Sequence, residues 1–214
     1  MPFSSVLGAS SVIKPGVCTS TTRPSVPFEG QLIYETDTDR VAAYNGSAWD
    51  YTHSSGLVLI SSTTIGSAVA SVTVSNAFSA TYDNYLILVS GGSASTIMNL
   101  NMTLGGTAIG YYRFGYFGFY DAPSVNAAHA SNDTSWVGIA SGATNGIYGW
   151  CHLSDPFATD RTLFSSMTAN PSPSGSGNQQ NGFLDNATSY TAFTFTTSTG
   201  TMTGGTIRVY GYKN

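Results

Sequence analysis

Between Met98 and Leu104 the chain reads MNLNMTL, apolar and polar residues alternating at every step. A backbone with that period buries its apolar set only as an extended strand. Met98, Leu100, Met102 and Leu104 then share one face, and Asn99, Asn101 and Thr103 the other. The alternation recurs where Thr191, Phe193 and Phe195 oppose Ala192, Thr194 and Thr196, and where Ile207 and Val209 oppose Arg208 and Tyr210. No window carries apolar residues at the i, i+3, i+4, i+7 spacing of a helix, and the abundant Thr, Ser, Gly and Asn are poor helix formers. Leu57–Ile60 and Tyr85–Val89 are continuous apolar runs, which predict strands buried on both faces. With Val69–Val74, Tyr111–Phe119, Ser135–Ile139, Ile147–Leu153 and Thr162–Met167, about ten strands are predicted. The fold class is all-β, and that number of strands suits a jelly-roll-like β-sandwich. The stretch 170–181, NPSPSGSGNQQN, has no apolar residue and is predicted to be an exposed loop.

Composition narrows the function classes. Only 8% of the 214 residues are charged, against roughly a quarter in ordinary soluble domains. Hydroxyls and amides fill the surface positions instead, as in all-β extracellular or virion proteins. A formal charge of −4, with seven basic residues scattered singly, argues against nucleic-acid binding. No apolar run approaches the roughly 18 residues of a membrane span, and Met1–Gly8 does not read as a secretion signal. Cys18 and Cys151 lie far apart. Cys151, inside Gly146–Leu153, is expected to be a small buried hydrophobe rather than half of a bridge.

Residues 22–53 form a β-hairpin module written in turn signals. Gln31–Glu35 and Arg40–Tyr44 are predicted strands joined by the acidic turn Thr36–Asp39. Asn45-Gly46 then turns the chain into Ser47–Tyr51, because Asn-Gly tolerates the positive φ angles of a tight turn. The module is too small to hold a core alone, so Leu32, Ile33, Tyr34, Val41, Tyr44, Trp49 and Tyr51 are expected to bury against something else. Residues 1–21, small, polar and irregular around Pro15-Gly16, are read as an N-terminal docking arm. Residues 54–214 are read as the sandwich.

The string RPxxPxEGQxIYETDTDRxxxYNGSAW, from Arg23 to Trp49, resembles a short module frequent in virion proteins of tailed bacteriophages, especially tail-fibre and other surface-exposed proteins. The terminal Gly205–Gly211 resembles the last strand of the β-sandwich domains that often follow it. The resemblance implies a surface-exposed structural protein of the virion, made in the host cytoplasm. A homotrimer is expected, because packing the hairpin modules of three chains around a shared axis buries what one copy cannot, the seven apolar hairpin residues forming the trimer or particle interface, with other virion proteins (capsid, portal, tail or fibre) as partners. Alternatives are a capsid decoration (cement) or head-fibre protein and, further off, a polysaccharide depolymerase.

Candidates for chemistry are sparse. His129 with Asp133 and His152 with Asp155 have spacings that could ligate a metal or pair as acid and base. Such residues more simply face water at strand ends. Asp37 and Asp39 could offer oxygens to Ca²⁺, yet Asp side chains in a turn ordinarily bond their own backbone. Asp155 and Asp160 flank Pro156-Phe157 without making a glycosidase pair, and no nucleophile elbow, phosphate loop or Cys-x-x-Cys is present. Neither a catalytic residue, nor a cofactor, nor a metal is expected. The densest feature is the aromatic run from Tyr111 to Tyr120. Its bland reading is core or subunit-interface packing, and its sharper one a glycan contact through Tyr111, Tyr112, Tyr116, Phe119 and Tyr120. Trp136 and Trp150 divide the same way, with Trp150 expected among Ile147, Tyr148 and Leu153 in the core.

Overall fold

The computed structural model describes residues 15–52 and 56–213. It separates into two compact units, divided between Ser55 and Gly56, and every regular element among the described residues is a strand.

The first unit is a four-stranded sheet in the order β1 (Gly16–Cys18), β2 (Leu32–Glu35), β3 (Arg40–Tyr44), β4 (Trp49–Tyr51). β2, β3 and β4 are the predicted hairpins, with Tyr34 opposite Val41 and Tyr44 opposite Trp49. β1 was not foreseen: inside the predicted arm, Gly16–Cys18 runs parallel to β2 and pairs with Ile33–Glu35. Three residues with no alternation leave no strand signature, and only the exposed edge of β2 recruits them. The rest of the predicted arm up to residue 14 lies outside the described residues, as do 53–55.

The second unit contains β5 (Leu57–Thr64), β6 (Ser71–Val74), β7 (Asn84–Gly91), β8 (Ser93–Ala94), β9 (Met98–Leu104), β10 (Tyr111–Phe119) and β11 (Val125–Asp133). It continues with β12 (Trp136–Ala143), β13 (Gly146–Ser154), β14 (Thr162–Ala169), β15 (Ser176–Leu184), β16 (Phe193–Thr197), β17 (Met202–Thr203) and β18 (Thr206–Tyr212). Eight of these make the frame. A front sheet runs β5-β18-β7-β13 and a back sheet β6-β16-β9-β12, continuous through the tight β12–β13 hairpin. The chain alternates between sheets from β5 to β9. It then returns β16 between β6 and β9, and β18 between β5 and β7. This double Greek key is a jelly roll. Two hairpins, β10–β11 and β14–β15, widen the front sheet beyond β13 in the order β14-β15-β10-β11. The minor pair β8–β17 closes one end.

The core lies between the sheets. Tyr85, Ile87, Val89, Ile207 and Val209 point inward from the front, and Leu100, Met102, Leu104, Phe193 and Phe195 from the back. Trp136 of β12 is fully buried and spans the gap, its ring 5.2 Å from Tyr111 and 4.5 Å from Phe164. Gly149 of β13 leaves β13 room to pack tightly against β12: a Cβ there would stand 2.6 Å from the Cα of Ala140.

Three expectations need correction. The 170–181 stretch is not an exposed loop, because Ser176–Leu184 is a strand paired on both sides with β14 and β10. Its amides replace apolar contacts. β12 is irregular between Trp136 and Ala140, with Gly138 at φ 75°, which frees carbonyls that Gln180 Nε2 satisfies by donating to Val137 O (2.8 Å) and Gly138 O (2.9 Å). Asn170, also buried, donates to Gly142 O at 3.0 Å. Second, the run Leu57–Ile60 is not buried on both faces. β5 is an edge strand paired only with β18, and Leu59 is exposed. Third, in β7 only Tyr85, Ile87 and Val89 are buried, while Leu86 and Leu88 are half-covered on the outer side.

Candidate interaction surface

In the small unit, strand alternation parts the seven predicted interface residues between two faces. Ile33, Tyr44, Trp49 and Tyr51 share one side with Glu35 and Ala42, whereas Leu32, Tyr34 and Val41 share the other. The first side holds a polar knot. Glu35 is fully buried and its carboxylate accepts from Arg23 Nε at 2.5 Å and from the Tyr51 hydroxyl and Thr38 Oγ1, each at 3.0 Å. The Arg40 guanidinium lies 4.9 Å from the Tyr51 ring centroid. The Arg23 guanidinium, helped by the two hydroxyls, holds the Glu35 carboxyl below the usual carboxylate range. Asp37 accepts from the backbone N–H and hydroxyl of Ser20, which lower its pKa. Asp39, at φ 53°, accepts from the Tyr34 hydroxyl at 2.8 Å. Asn45 Oδ1 accepts from the N–H groups of Ser47 and Ala48 while Gly46 adopts φ 91°. The residues of the string that looked like turn punctuation therefore each close a hydrogen bond within the unit, leaving Leu32 and Val17 exposed on the opposite face.

The larger surface is the outer side of the front sheet. The registers place Leu88, Trp150, Met167, Gln179 and Tyr116 in one row across five strands, and Leu86, His152, Ser165, Asn181 and Phe114 in the next. A groove of about 500 Å³ runs along the first row, walled by Tyr116, Tyr148, Trp150 and Met167. A second of about 560 Å³ adjoins it over His152, Ser165 and Asn181, sharing Tyr116 and Gln179. His152 is anchored: a ring nitrogen faces the Tyr212 hydroxyl at 2.9 Å, and Trp150 meets its ring edge-on at 5.1 Å. Partial burial lowers the imidazole pKa. The back sheet presents the opposite character outside, with Thr73, Thr103, Thr194, Thr196 and Asn99, the Thr73 and Thr194 hydroxyls 2.8 Å apart.

The five predicted glycan residues do not form one surface. Tyr111 is a core residue, and its buried hydroxyl accepts from the N–H of Leu104 at 2.8 Å and donates to Thr107 O at 3.1 Å, with burial pushing its pKa up to about 12. Tyr112 stacks on Phe183 at 4.8 Å. Tyr116 is outward on the front face, whereas Phe119 projects from the opposite face of β10 and Tyr120 from the turn after it. Period-two geometry forbids consecutive residues of one strand from sharing a face. By the same rule Trp150, expected in the core, points outward with Tyr148 and His152, while Ile147, Cys151 and Leu153 point inward. Tyr148 too was expected in the core and is exposed, and Met167 and Gln179 were missed altogether, although the i, i+2 spacing of Tyr148, Trp150 and His152 carried the signal.

His152 engages Tyr212 rather than Asp155, His129 is exposed on β11, and among the described residues no three His, Cys, Asp or Glu side chains gather into a metal site. Cys151 and Cys18 are both free thiols, and complete burial pushes the Cys151 pKa up. Comparison of the chain with protein-family models, with curated proteins and with solved structures found no match.

Proposed function

We propose that the chain is a non-enzymatic structural protein of a tailed-phage virion, a surface-exposed trimeric fibre or adhesin-type component docked on the particle through its N-terminal region. The observation that carries this reading is the match between the resembling string and the knot it builds. Arg23, Glu35, Thr38 and Arg40 belong to the string: Arg23 and Thr38 converge on the Glu35 carboxylate together with Tyr51, the second residue after the string, and Arg40 lies over the Tyr51 ring. A thirty-residue stretch whose polar side chains bond one another within one compact sheet suits a transferable attachment unit, joining different projecting domains to a particle. The jelly roll that follows, with few charges, reads as a projecting domain. Its aromatic front face is available to a sister subunit or to a host surface.

The test is to label virions of the encoding phage with gold-conjugated antibody against residues 56–213. Label on the tail or its tip is expected; label spread over the head instead makes the chain a decoration or head-fibre protein, and absence from purified particles refutes the virion assignment. Deleting residues 1–14, which spares β1, is expected to leave a folded protein that no longer joins particles. Trp49→Ala, removing the ring 5.4 Å from Tyr44, is expected to weaken the trimer, and an unchanged mass by light scattering refutes the hairpin's part in it.

A further inference from the structure

The outer side of the front sheet is unlike the exterior of an ordinary sandwich. An antiparallel sheet with one solvated face carries polar residues there, as the back sheet does. Of the eleven large apolar residues exposed in the jelly roll, seven lie on this single face: Leu59, Phe114, Tyr116, Val125, Tyr148, Leu163 and Met167, each between 42% and 76% exposed. Together they amount to between three and four fully exposed side chains. At about 200 Å² apiece that is roughly 700 Å² of apolar surface, beyond the 300–600 Å² usual for the largest patch of a monomer. It is close to the roughly 800 Å² per partner of a stable interface. Half-covered Trp150, Leu86 and Leu88 continue the patch between the exposed residues.

We infer that this face is a subunit interface occupied by a second copy of the same chain. Area is the first argument. Charge is the second: on the rows from Leu59 to Val125 the described side chains include Arg208, His129 and His152 but no carboxylate. At the Leu163 end the Arg161–Asp185 pair, its guanidinium over the outward Phe183 ring, is already matched within the chain, so a charged partner finds little to pair with beyond Arg208, whereas an aromatic face so low in charge suits another of its kind, charge being depleted at interface centres. The third argument is the sequence of β7. Its unbroken Tyr85–Val89 run is the signature of a strand covered on both sides, and the single chain covers only one. A copy seated on the front face supplies the missing cover for Leu86 and Leu88. The interface is independent of the hairpin and of the virion assignment, and adds a second zone of association to the trimer proposed above.

The experiment is a light-scattering and sedimentation dilution series on the full chain. The wild type is expected to show an integer multiple of 22.4 kDa. The double variant Tyr116→Ser, Met167→Lys is expected to raise the dissociation concentration at least tenfold with unchanged near-ultraviolet circular dichroism. Thr196→Lys, on the polar outer side of the back sheet, is expected to leave it unchanged. Should the double variant misfold, Leu163→Lys at the other end of the same face serves in its place, with the same tenfold expectation. A wild type at 22.4 kDa throughout the micromolar range overturns the inference. So does a folded front-face variant that keeps the wild-type dissociation concentration. If Trp49→Ala weakens association and the front-face variants do not, the hairpin trimer stands and this interface falls. A monomer whose tryptophan fluorescence shifts with maltohexaose also overturns the inference, in favour of a sugar-binding face.

Discussion

Replacing Trp136 tests whether the two sheets are held together as described. The side chain is fully buried on β12 of the back sheet, with Tyr111 edge-on at 5.2 Å and Phe164 at 4.5 Å from the front sheet, and its Nε1–H reaches Phe183 O at 3.4 Å. Trp136→Ala deletes an indole that strands on both sheets enclose, and rigid sheets cannot collapse into the space. The cost is expected at about 3–5 kcal/mol. For a unit of this size, each kcal/mol corresponds to roughly 2–4 °C, so the melting temperature is expected to fall by roughly 6–20 °C. Trp136→Phe keeps a ring in contact with both neighbours and loses one long hydrogen bond and part of the volume, for about 1–2 kcal/mol. Trp150→Ala, on a half-covered outward residue, is expected to cost less than Trp136→Ala. The assay is urea unfolding followed by far-ultraviolet circular dichroism, all variants at one protein concentration because association adds to apparent stability. A Trp136→Ala cost below about 1.5 kcal/mol, or a Phe variant as damaging as the Ala one, refutes the account of Trp136 as the bridge between sheets.

Gln180→Leu keeps the volume but takes the donor from Val137 O and leaves Gly138 O only the long contact from Asn178 Nδ2 at 3.5 Å, and is expected to cost about 1–3 kcal/mol by urea unfolding. Because the folded-state pKa of Glu35 lies below its ordinary 4.5, its contribution is present above about pH 4.5 and is lost as pH falls through the lower folded value. Acid titration of Trp49 emission, with Trp136 and Trp150 replaced by Phe, is expected to show a loosening below pH 4.5 that Glu35→Gln abolishes. In the native chain, Cys18 is expected to react with a maleimide at least tenfold faster than the buried Cys151, with both reacting alike in urea, as read by mass spectrometry.

Strand content was legible wherever one face is buried and the other wet. Met98–Leu104 and Tyr111–Phe119 match β9 and β10 to the residue. Legibility failed where burial is achieved by backbone pairing and amides instead of hydrocarbons. Ser176–Leu184 carries only Phe183 and Leu184 as large apolar residues, so no hydropathy pattern could reveal a strand whose inward Gln180 serves the carbonyls of a bulge. Val125–Asp133 failed for a related reason, since it is an outer strand of alanines and polar residues held by its hairpin partner. The candidate surface was half legible. The aromatic density of β10 was plain, but choosing which rings face outward needs the strand's parity, and Tyr148, Trp150 and Met167 join Tyr116 only through registers that cross four strands.

The strand order also sets when the jelly roll can form. β18 lies between β5 and β7, pairing Thr206 with Thr64 and with Ser90, so the earliest strand of the frame has no partner until the latest has been synthesised. Contacts of such sequence separation fold slowly, because loop closure precedes any gain from pairing. During that wait the apolar runs of β5 and β7 are bare strand edges on a nascent chain with little charge to keep copies apart. The first unit has no such delay, since its hairpins close over a handful of residues. On the ribosome the small sheet is complete while the large one is still an open, sticky edge, and the interval between those two events is where this protein is most exposed to misassembly.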